Sequence, residues 1–130
     1  MEGPTPPSPF DELVGTEWLE IGPERARARI AISKHHTQPL GLVHGGVYAT
    51  LAESICSRAT AEAVGREGKA ALGLSNSTTF LRPASDGHLN AVATRRHSGR
   101  TTWVWDVELS DDEGRICALV RMTIAVRPRA

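Results

Sequence analysis

One long helical pattern, set among strand patterns, constrains the fold of this chain more than any other feature. Across residues 45–64, Val47, Leu51 and Ile55 recur at every fourth position, and Gly65 suits the end of a helix. Most of the other positions hold Ala, Ser or Cys. Such small residues let a sheet approach a helix from more than one side, whereas a surface helix carries long charged side chains. The pattern predicts a central helix enclosed by a sheet.

Strand patterns occupy most of the remaining sequence. Alternating hydrophobic residues and turn signals predict six strands, over residues 17–21, 25–33, 70–81, 89–97, 101–110 and 116–127. In the last of these Ile116, Val120 and Ile124 share one face, which predicts that they are buried together. We expect antiparallel pairing in a meander. The order of two strands, one helix and four strands predicts an α+β domain whose curved antiparallel sheet wraps around the helix.

Length and composition limit the function classes. The 130 residues suit one domain. Four prolines before residue 10 disfavour helix and strand, so we predict a flexible tail over residues 1–12 and a folded domain over 13–130. Fifteen basic and fifteen acidic residues cancel, which argues against nucleic acid or membrane partners. No signal peptide or membrane span is evident, and Cys56 and Cys117 predict free buried thiols, so we expect a cytoplasmic protein.

Paired glycines, Gly45 and Gly46, stand where the helix begins. A helix start offers backbone N–H groups without intrahelical acceptors and the positive end of the helix dipole. Such donors suit a carbonyl oxygen that gains negative charge during acyl transfer. By itself, however, a Gly-Gly pair before a helix more often serves only a tight junction.

Glu53 strengthens the hypothesis of a catalytic site, because it is an ionisable residue in the middle of a small, apolar helix. A carboxylate there needs a partner or a cavity. A solvated face or an ion pair with an arginine is the alternative. Glu53 follows Gly45 by eight residues, which is about 12 Å along a helix. One reacting carbonyl cannot touch both groups of one subunit, so the spacing predicts at least a dimer, with the two groups supplied by different subunits.

Ser57 and His44 are secondary candidates. Ser57 lies one turn beyond Glu53, where its hydroxyl either orients the carboxylate or a water molecule, or is simply small. His44 is favoured as a brace for the loop through a ring hydrogen bond over a role as general base. His35 and His36 lack a third ligand at a characteristic spacing, so no metal site is predicted.

Three segments together resemble the PaaI-type hotdog thioesterases. They are residues 42–48 (LVHGGVY), 51–55 (LAESI) and 76–84 (NSTTFLRPA). The likeness extends over residues 16–127, and it is greatest to the 4-hydroxybenzoyl-CoA thioesterase branch, whose carboxylate is a helical Glu. In that branch a Thr stands where this chain has Ser57.

The resemblance implies a role for each matching residue. Glu53 stands at the position of the nucleophile or general base, and Gly45 at that of the backbone donor to the thioester oxygen. Gln38 matches a side chain that assists the same carbonyl. The substrate-binding positions implied, several of them for coenzyme A, are Gly46, Asn76, Arg82, Arg100, Thr101 and Thr102.

The expected function is hydrolysis of a small acyl- or aryl-CoA thioester, such as 4-hydroxybenzoyl-CoA or a phenylacetyl-CoA-like ester. No cofactor is expected beyond the coenzyme A of the substrate, and the dimer is expected to pair again into a tetramer. The alternative is a non-catalytic hotdog module that binds or senses CoA esters. Such a module needs a CoA pocket but no helical carboxylate, so Glu53 discriminates between the two. Hotdog dehydratases use a catalytic His in other local motifs, which this sequence lacks.

Overall fold

The computed structural model describes residues 8–129, which form two helices, one short 3-10 turn and six strands. In chain order the elements are α1 (Pro9–Val14), β1 (Thr16–Ile21), β2 (Arg25–Ala31), the 3-10 turn (Lys34–His36), α2 (Gly45–Gly65), β3 (Lys69–Phe80), β4 (His88–Ser98), β5 (Thr102–Ser110) and β6 (Ile116–Pro128). The long helix and the six strands predicted from the sequence are confirmed, with ends shifted by one or two residues.

All six strands join one antiparallel sheet in the order β1-β2-β4-β5-β6-β3. Strands β4, β5 and β6 form the expected meander. Strand β3 departs from it, because it pairs with β6 rather than with β4, which follows it in the chain; Asn76 lies opposite Met122 in this pairing. As a result β3, twelve residues long, forms one edge of the sheet.

Helix α2 lies against the sheet and contacts every strand of it. Its residues Leu51, Ala52, Ile55, Cys56 and Ala59 are almost completely buried. Small side chains at these positions let the sheet curve closely around the helix, which is why so long a helix can be enclosed by a chain of this length. The predicted α+β hotdog architecture is confirmed.

A buried hydrogen-bond chain fastens the helix to the sheet. The indole Nε1–H of Trp105 on β5 donates to Oγ1 of Thr60 at 2.9 Å, and the Thr60 hydroxyl donates to the carbonyl oxygen of Cys56 at 2.8 Å. Trp105 and Thr60 are both completely buried. Each polar group therefore has a partner, as burial requires.

The sequence prediction fails at the start of β6. Ile116 is 39% exposed, whereas Cys117 and Ala118 are both buried. The register between β5 and β6 shifts between Leu109 and Ser110, and such an irregularity turns the first residue of β6 away from the face that the following alternation buries. Cys56 and Cys117 are buried free thiols, as predicted.

Helix α1 begins in the predicted N-terminal tail, residues 1–12, and ends two residues beyond it. Residues 1–7 of that tail are outside the described residues. The expectation that prolines exclude a helix there is wrong for Pro9–Val14. The Oγ of Ser8 accepts the N–H of Asp11 at 3.0 Å, and Pro9 falls in the first turn, where a missing N–H costs nothing. The division of the chain at residue 12 stays a prediction. Neither helix of residues 8–129 is long and apolar enough to cross a membrane.

Candidate active site

The first turn of α2 presents one free backbone donor. Nδ1 of His44, the N-cap residue, accepts the N–H of Gly46 at 2.8 Å. The ring of His44 thus braces the helix start, and the Gly46 amide is already occupied rather than open to a substrate. The N–H of Gly45 has no acceptor among residues 8–129. Gly45 is therefore the donor that this helix start offers.

An open cleft of 420 Å³, called here the Gly45 cleft, adjoins that donor. The Phe80 ring lies so close that an ideal Cβ on Gly45 would be 2.9 Å from its Cζ, so any larger residue at this position displaces the ring. The buried ring of Tyr48 meets Phe80 edge-on, with 5.8 Å between centroids. Burial raises the pKa of the Tyr48 phenol. The cleft is lined by Gln38, Leu42, Val43, Gly45, Tyr48, Phe80, Leu81, Arg82 and Pro83.

Gln38 and Arg82 reach this cleft from separate loops. Oε1 of Gln38 accepts the backbone N–H of Leu40, and the Gln38 backbone pairs with Leu42 and Gly41, which fixes the loop.

Arg82 is anchored by its own backbone N–H, which donates to the carbonyl of Cys117 at 3.1 Å. Its exposed guanidinium has no ion-pair partner within the described part of the chain. Arg82 thus holds an available positive charge at the rim of the cleft.

Glu53 lines a different open cleft, of 490 Å³, called here the Glu53 cleft. Nδ2 of Asn76 on β3 donates to the carbonyl of Ala49 at 3.0 Å and lies 3.5 Å from Oε1 of Glu53. The Thr78 hydroxyl donates to Oδ1 of Asn76 at 2.7 Å, which fixes the amide orientation. Glu53 itself is exposed. The lining consists of Phe10, Ala49, Thr50, Glu53, Ser54, Asn76 and Thr78.

The two clefts have no lining residue in common. Within one subunit, the Gly45 donor and the Glu53 carboxylate therefore face separate spaces, although both belong to α2. This separation agrees with the spacing of about 12 Å expected from the helical rise. A substrate carbonyl that touches both groups has to lie between two copies of the chain.

Besides His44 and Gly46, which bond to each other at the helix start, four of the candidate residues lie outside both clefts. Ser57 is half-buried and makes no hydrogen bond with Glu53. Arg100, Thr101 and Thr102 belong to the turn between β4 and β5 or to the start of β5, at the end of the sheet where Thr102 pairs with Ala125.

Phe80, at the end of β3 next to Arg82, lies opposite Ala118 of β6. Ala118 is on the same strand as Ala125, the partner of Thr102. Ala118 and Ala125 are seven positions apart on β6, which is about 23 Å of strand. One subunit does not bring the β4–β5 turn to Arg82.

Several lining residues received no role from the sequence. Phe80 and Tyr48 fall within the motif segments, but only the fold shows that they lie beside Gly45 and line its cleft. Thr78 looked like an ordinary strand residue, and Phe10 was assigned to the tail. Ser8 followed by Pro9, a typical start of a helix, is the signal that could have placed Phe10 on α1.

Among residues 8–129, no group of three His, Cys, Asp or Glu side chains is placed so that it could bind a metal ion. His36 is engaged elsewhere, since its Nε2 lies 2.6 Å from the carbonyl oxygen of Val14 and its Nδ1 accepts the N–H of Ser33 at 3.0 Å. It links the end of α1 to the 3-10 turn.

Comparison with known proteins identifies the family. A family model described as the thioesterase superfamily matches residues 40–118. The protein Rv1847 of Mycobacterium tuberculosis, whose name assigns it provisionally to the esterases, is 38% identical over 112 residues, which is 85% of this chain and 80% of that protein. Its solved structure has a TM-score of 0.90 and 34% identity, and the match covers 95% of this chain and 99% of that chain.

Two further solved structures are variants of similar proteins. Thioesterase PA1618 of Pseudomonas aeruginosa, with one glutamine replaced by alanine, has a TM-score of 0.88 and 35% identity, covering 92% of this chain and 86% of that one. SAV0944 of Staphylococcus aureus, with a glutamate replaced by alanine, has a TM-score of 0.89 and 26% identity over 92% of this chain and 99% of that one. The chain therefore belongs to the thioesterase superfamily, a family of thioester hydrolases with the hotdog fold.

Proposed function

We propose that this protein is an acyl-CoA thioesterase, which hydrolyses a small acyl- or aryl-CoA thioester to the free acid and coenzyme A. Glu53 of one subunit and the Gly45 N–H of its partner act on the same carbonyl group. The observation that carries the proposal is the pairing of an unoccupied helix-start donor with a separately held carboxylate. The Gly45 N–H is free to donate into the Gly45 cleft, and the Glu53 carboxylate lines the Glu53 cleft. Within one subunit, neither cleft contains both groups.

The chemistry follows from these two groups. The Gly45 N–H donates to the thioester oxygen, which gains negative charge as the carbonyl carbon becomes tetrahedral. In one route the Glu53 carboxylate attacks that carbon, the C–S bond breaks, CoA thiolate leaves, and water hydrolyses the resulting anhydride. In the other, Glu53 removes a proton from water as the water attacks, and the thiolate leaves with a proton. Both routes use the protein's own groups, without a metal or redox cofactor.

Solved variants of a relative support the choice of residues. In addition to the glutamate variant, SAV0944 has been solved with a glutamine replaced by alanine and is described there as a thioesterase enzyme. The two replaced positions are fifteen residues apart in that chain. Gln38 and Glu53 are separated by the same interval. We infer that Gln38, which lines the Gly45 cleft, assists the carbonyl from that side.

The edge strand β3 is the surface we propose for the dimer. Its outer hydrogen-bonding groups have no strand beside them in the described part of the chain, and Leu72 and Leu74 on it are each 59% exposed. An open edge with exposed leucines is a surface that natural proteins cover. Because α2 packs on β3, pairing of two β3 edges places the two helices side by side. We propose that such dimers pair again into a tetramer.

Arg82 supplies the attraction for coenzyme A in this scheme. Its unpaired guanidinium lies at the rim of the Gly45 cleft, and guanidinium binds phosphate through two parallel hydrogen bonds. Arg100, Thr101 and Thr102 lie too far along the sheet to share that ligand from the same subunit. If they contact the same nucleotide, they do so from another subunit.

A thiol-release assay over a panel of acyl- and aryl-CoA esters tests the function, with Glu53→Ala and Glu53→Gln beside the wild type. We expect turnover by the wild type and its loss in both variants. Equal rates in all three proteins would end the catalytic assignment. Binding of CoA esters without turnover by the wild type would establish the alternative, a non-catalytic CoA-ester module.

Heavy-oxygen labelling of Glu53 tests the anhydride route. In a single turnover in heavy-oxygen water, an anhydride intermediate opened at the Glu53 carbonyl leaves one labelled oxygen on that side chain. Direct attack by water leaves Glu53 unlabelled and places the label in the acid product, as does opening of the anhydride at the acyl carbonyl, so a labelled Glu53 is the result that establishes the anhydride route. Mass spectrometry of the Glu53 peptide reads the outcome.

A further inference from the structure

An apolar cleft lies between the two helices, next to the candidate active site. It has a volume of 620 Å³ and is called here the α1 cleft. Helix α1 contributes Phe10, Leu13 and Val14, and the first half of α2 contributes Val47 and Thr50. Four of these five side chains are hydrocarbon. The rest of the lining is His35, His36, Thr37, His44 and Gly46. Most of the lining surface is nevertheless apolar, which favours an apolar ligand.

The α1 cleft adjoins the Glu53 cleft. Phe10 and Thr50 line both clefts. Thr50 and Glu53 lie three residues apart on α2, so they are neighbours on one face of the helix. A group that extends from a carbonyl beside Glu53 therefore meets Phe10 and Thr50 first and the α1 cleft next.

Helix α1 holds its side of the cleft in place. The carbonyl of Val14 lies 2.6 Å from Nε2 of His36, and Gly15 closes the helix with its N–H on the carbonyl of Asp11 at 2.9 Å. Nevertheless Phe10 is 56% exposed and Leu13 is 82% exposed. Two apolar side chains on a tethered helix, beside a reaction site and without cover in the subunit, gain from an apolar ligand that covers them.

We propose that the α1 cleft is the acyl site, and that Phe10 determines the preferred acyl length. An unbranched acyl group of medium length passes Phe10 and buries its outer methylenes against Leu13, Val14 and Val47. A group that is too short, or a rigid one, ends in the Glu53 cleft, whose lining is mainly polar. This inference rests on the proposed thioesterase function and names its substrate class: medium-chain aliphatic acyl-CoA esters.

The ratio of kcat/KM for octanoyl-CoA to that for butanoyl-CoA tests the inference. Each methylene that becomes buried is worth up to about fourfold in this ratio. Phe10→Trp, which narrows the passage, is expected to lower the ratio by about tenfold. Leu13→Gln, which puts an amide at the far end of the cleft, is expected to lower it by about fivefold.

Leu19→Gln is the matched control. Leu19 is another partly exposed leucine, on β1, and it lines neither cleft. The same substitution there is expected to leave the ratio unchanged. A ratio near one in the wild type, or equal ratios in wild type, Phe10→Trp and Leu13→Gln, would overturn the acyl site.

Failure of the inference is distinguishable from failure of the thioesterase function. Glu53→Gln protein titrated calorimetrically with octanoyl-CoA and with coenzyme A measures binding without turnover. We expect octanoyl-CoA to bind more tightly than coenzyme A, and Phe10→Trp in the same background to remove most of that difference. If the wild type hydrolyses both esters but this difference is absent, the acyl site is wrong and the function stands. If no ester is hydrolysed, the function fails, while the titration still decides whether the cleft takes the chain.

Discussion

The ring of Phe80 lies directly against the backbone of Gly45, where an ideal Cβ would be 2.9 Å from Cζ. Phe80 ends β3 and Gly45 begins α2, so the contact joins the sheet edge to the helix start. Because the clash falls on the far end of a side chain, a small shift of the ring accommodates a methyl group. The site thus allows the role of the Gly45 N–H to be separated from the role of the close packing.

Gly45→Pro and Gly45→Ala make that separation. Proline suits the first position of a helix and removes the N–H, and His44 already has the extended ψ of 135° that a residue before proline adopts. Alanine adds a Cβ but keeps the N–H. Loss of an oxyanion donor costs about 10²–10³ in kcat, so we expect Gly45→Pro to lose that much relative to Gly45→Ala. Steady-state kinetics of both variants check this, and equal kcat values would remove the amide from the mechanism.

Asn76 is expected to act as a positioning residue for Glu53. Its Nδ2 bridges the Ala49 carbonyl and the Glu53 carboxylate, so Asn76→Ala frees the carboxylate to adopt other rotamers. We expect kcat to fall by about tenfold with little change in KM. Thr78→Val removes the hydroxyl that holds the Asn76 amide and should give a smaller fall in the same direction. A pure change in KM for either variant would place Asn76 in substrate binding instead.

Arg82→Ala is expected to raise KM for CoA esters with kcat preserved, since charge attraction to a remote phosphate is the same in the ground state and the transition state. Arg25→Ala is the matched control, because Arg25 is an exposed arginine on β2 that lines none of the clefts described. Steady-state kinetics at low ionic strength show the contrast best. An unchanged KM for Arg82→Ala would mean that this side chain is ordinary surface.

Thr60→Val is expected to destabilise the fold without touching the site. It keeps the shape of the side chain but leaves the buried Trp105 Nε1–H without its acceptor. An unsatisfied buried donor costs about 1–3 kcal/mol. Urea unfolding followed by Trp fluorescence measures the loss. A free energy of unfolding equal to that of the wild type would show that the indole finds another partner.

The sequence was sufficient for the long helix and the six strands, and it singled out the two residues on which the proposed site depends. Val47, Leu51 and Ile55 marked the helix because hydrophobic spacing follows directly from helical geometry, although Val47 is only partly buried. Gly45 stood out because it is one of two glycines at a helix start, and Glu53 because it is an ionisable residue on an apolar helix. An unoccupied helix-start amide and an acid on an apolar helix are both visible without a fold.

Other features depend on contacts far apart in the chain. The position of β3 at the sheet edge is set by its pairing with β6, which no local pattern specifies. Phe10 was placed in a tail because prolines disfavour helices in general, whereas Ser8 and Pro9 occupy the few positions that start one. The distance between Arg82 and the turn at Arg100 follows only from strand register.

The central claim is that each site combines Gly45 of one subunit with Glu53 of another. Gly45→Pro and Glu53→Gln chains, coexpressed with different affinity tags and purified through both, give mixed dimers. One of the two sites in such a dimer then has both groups intact, so we predict about half of wild-type activity from two variants that are each inactive alone. Activity of the mixed dimers no higher than that of either variant alone would contradict a site shared between subunits.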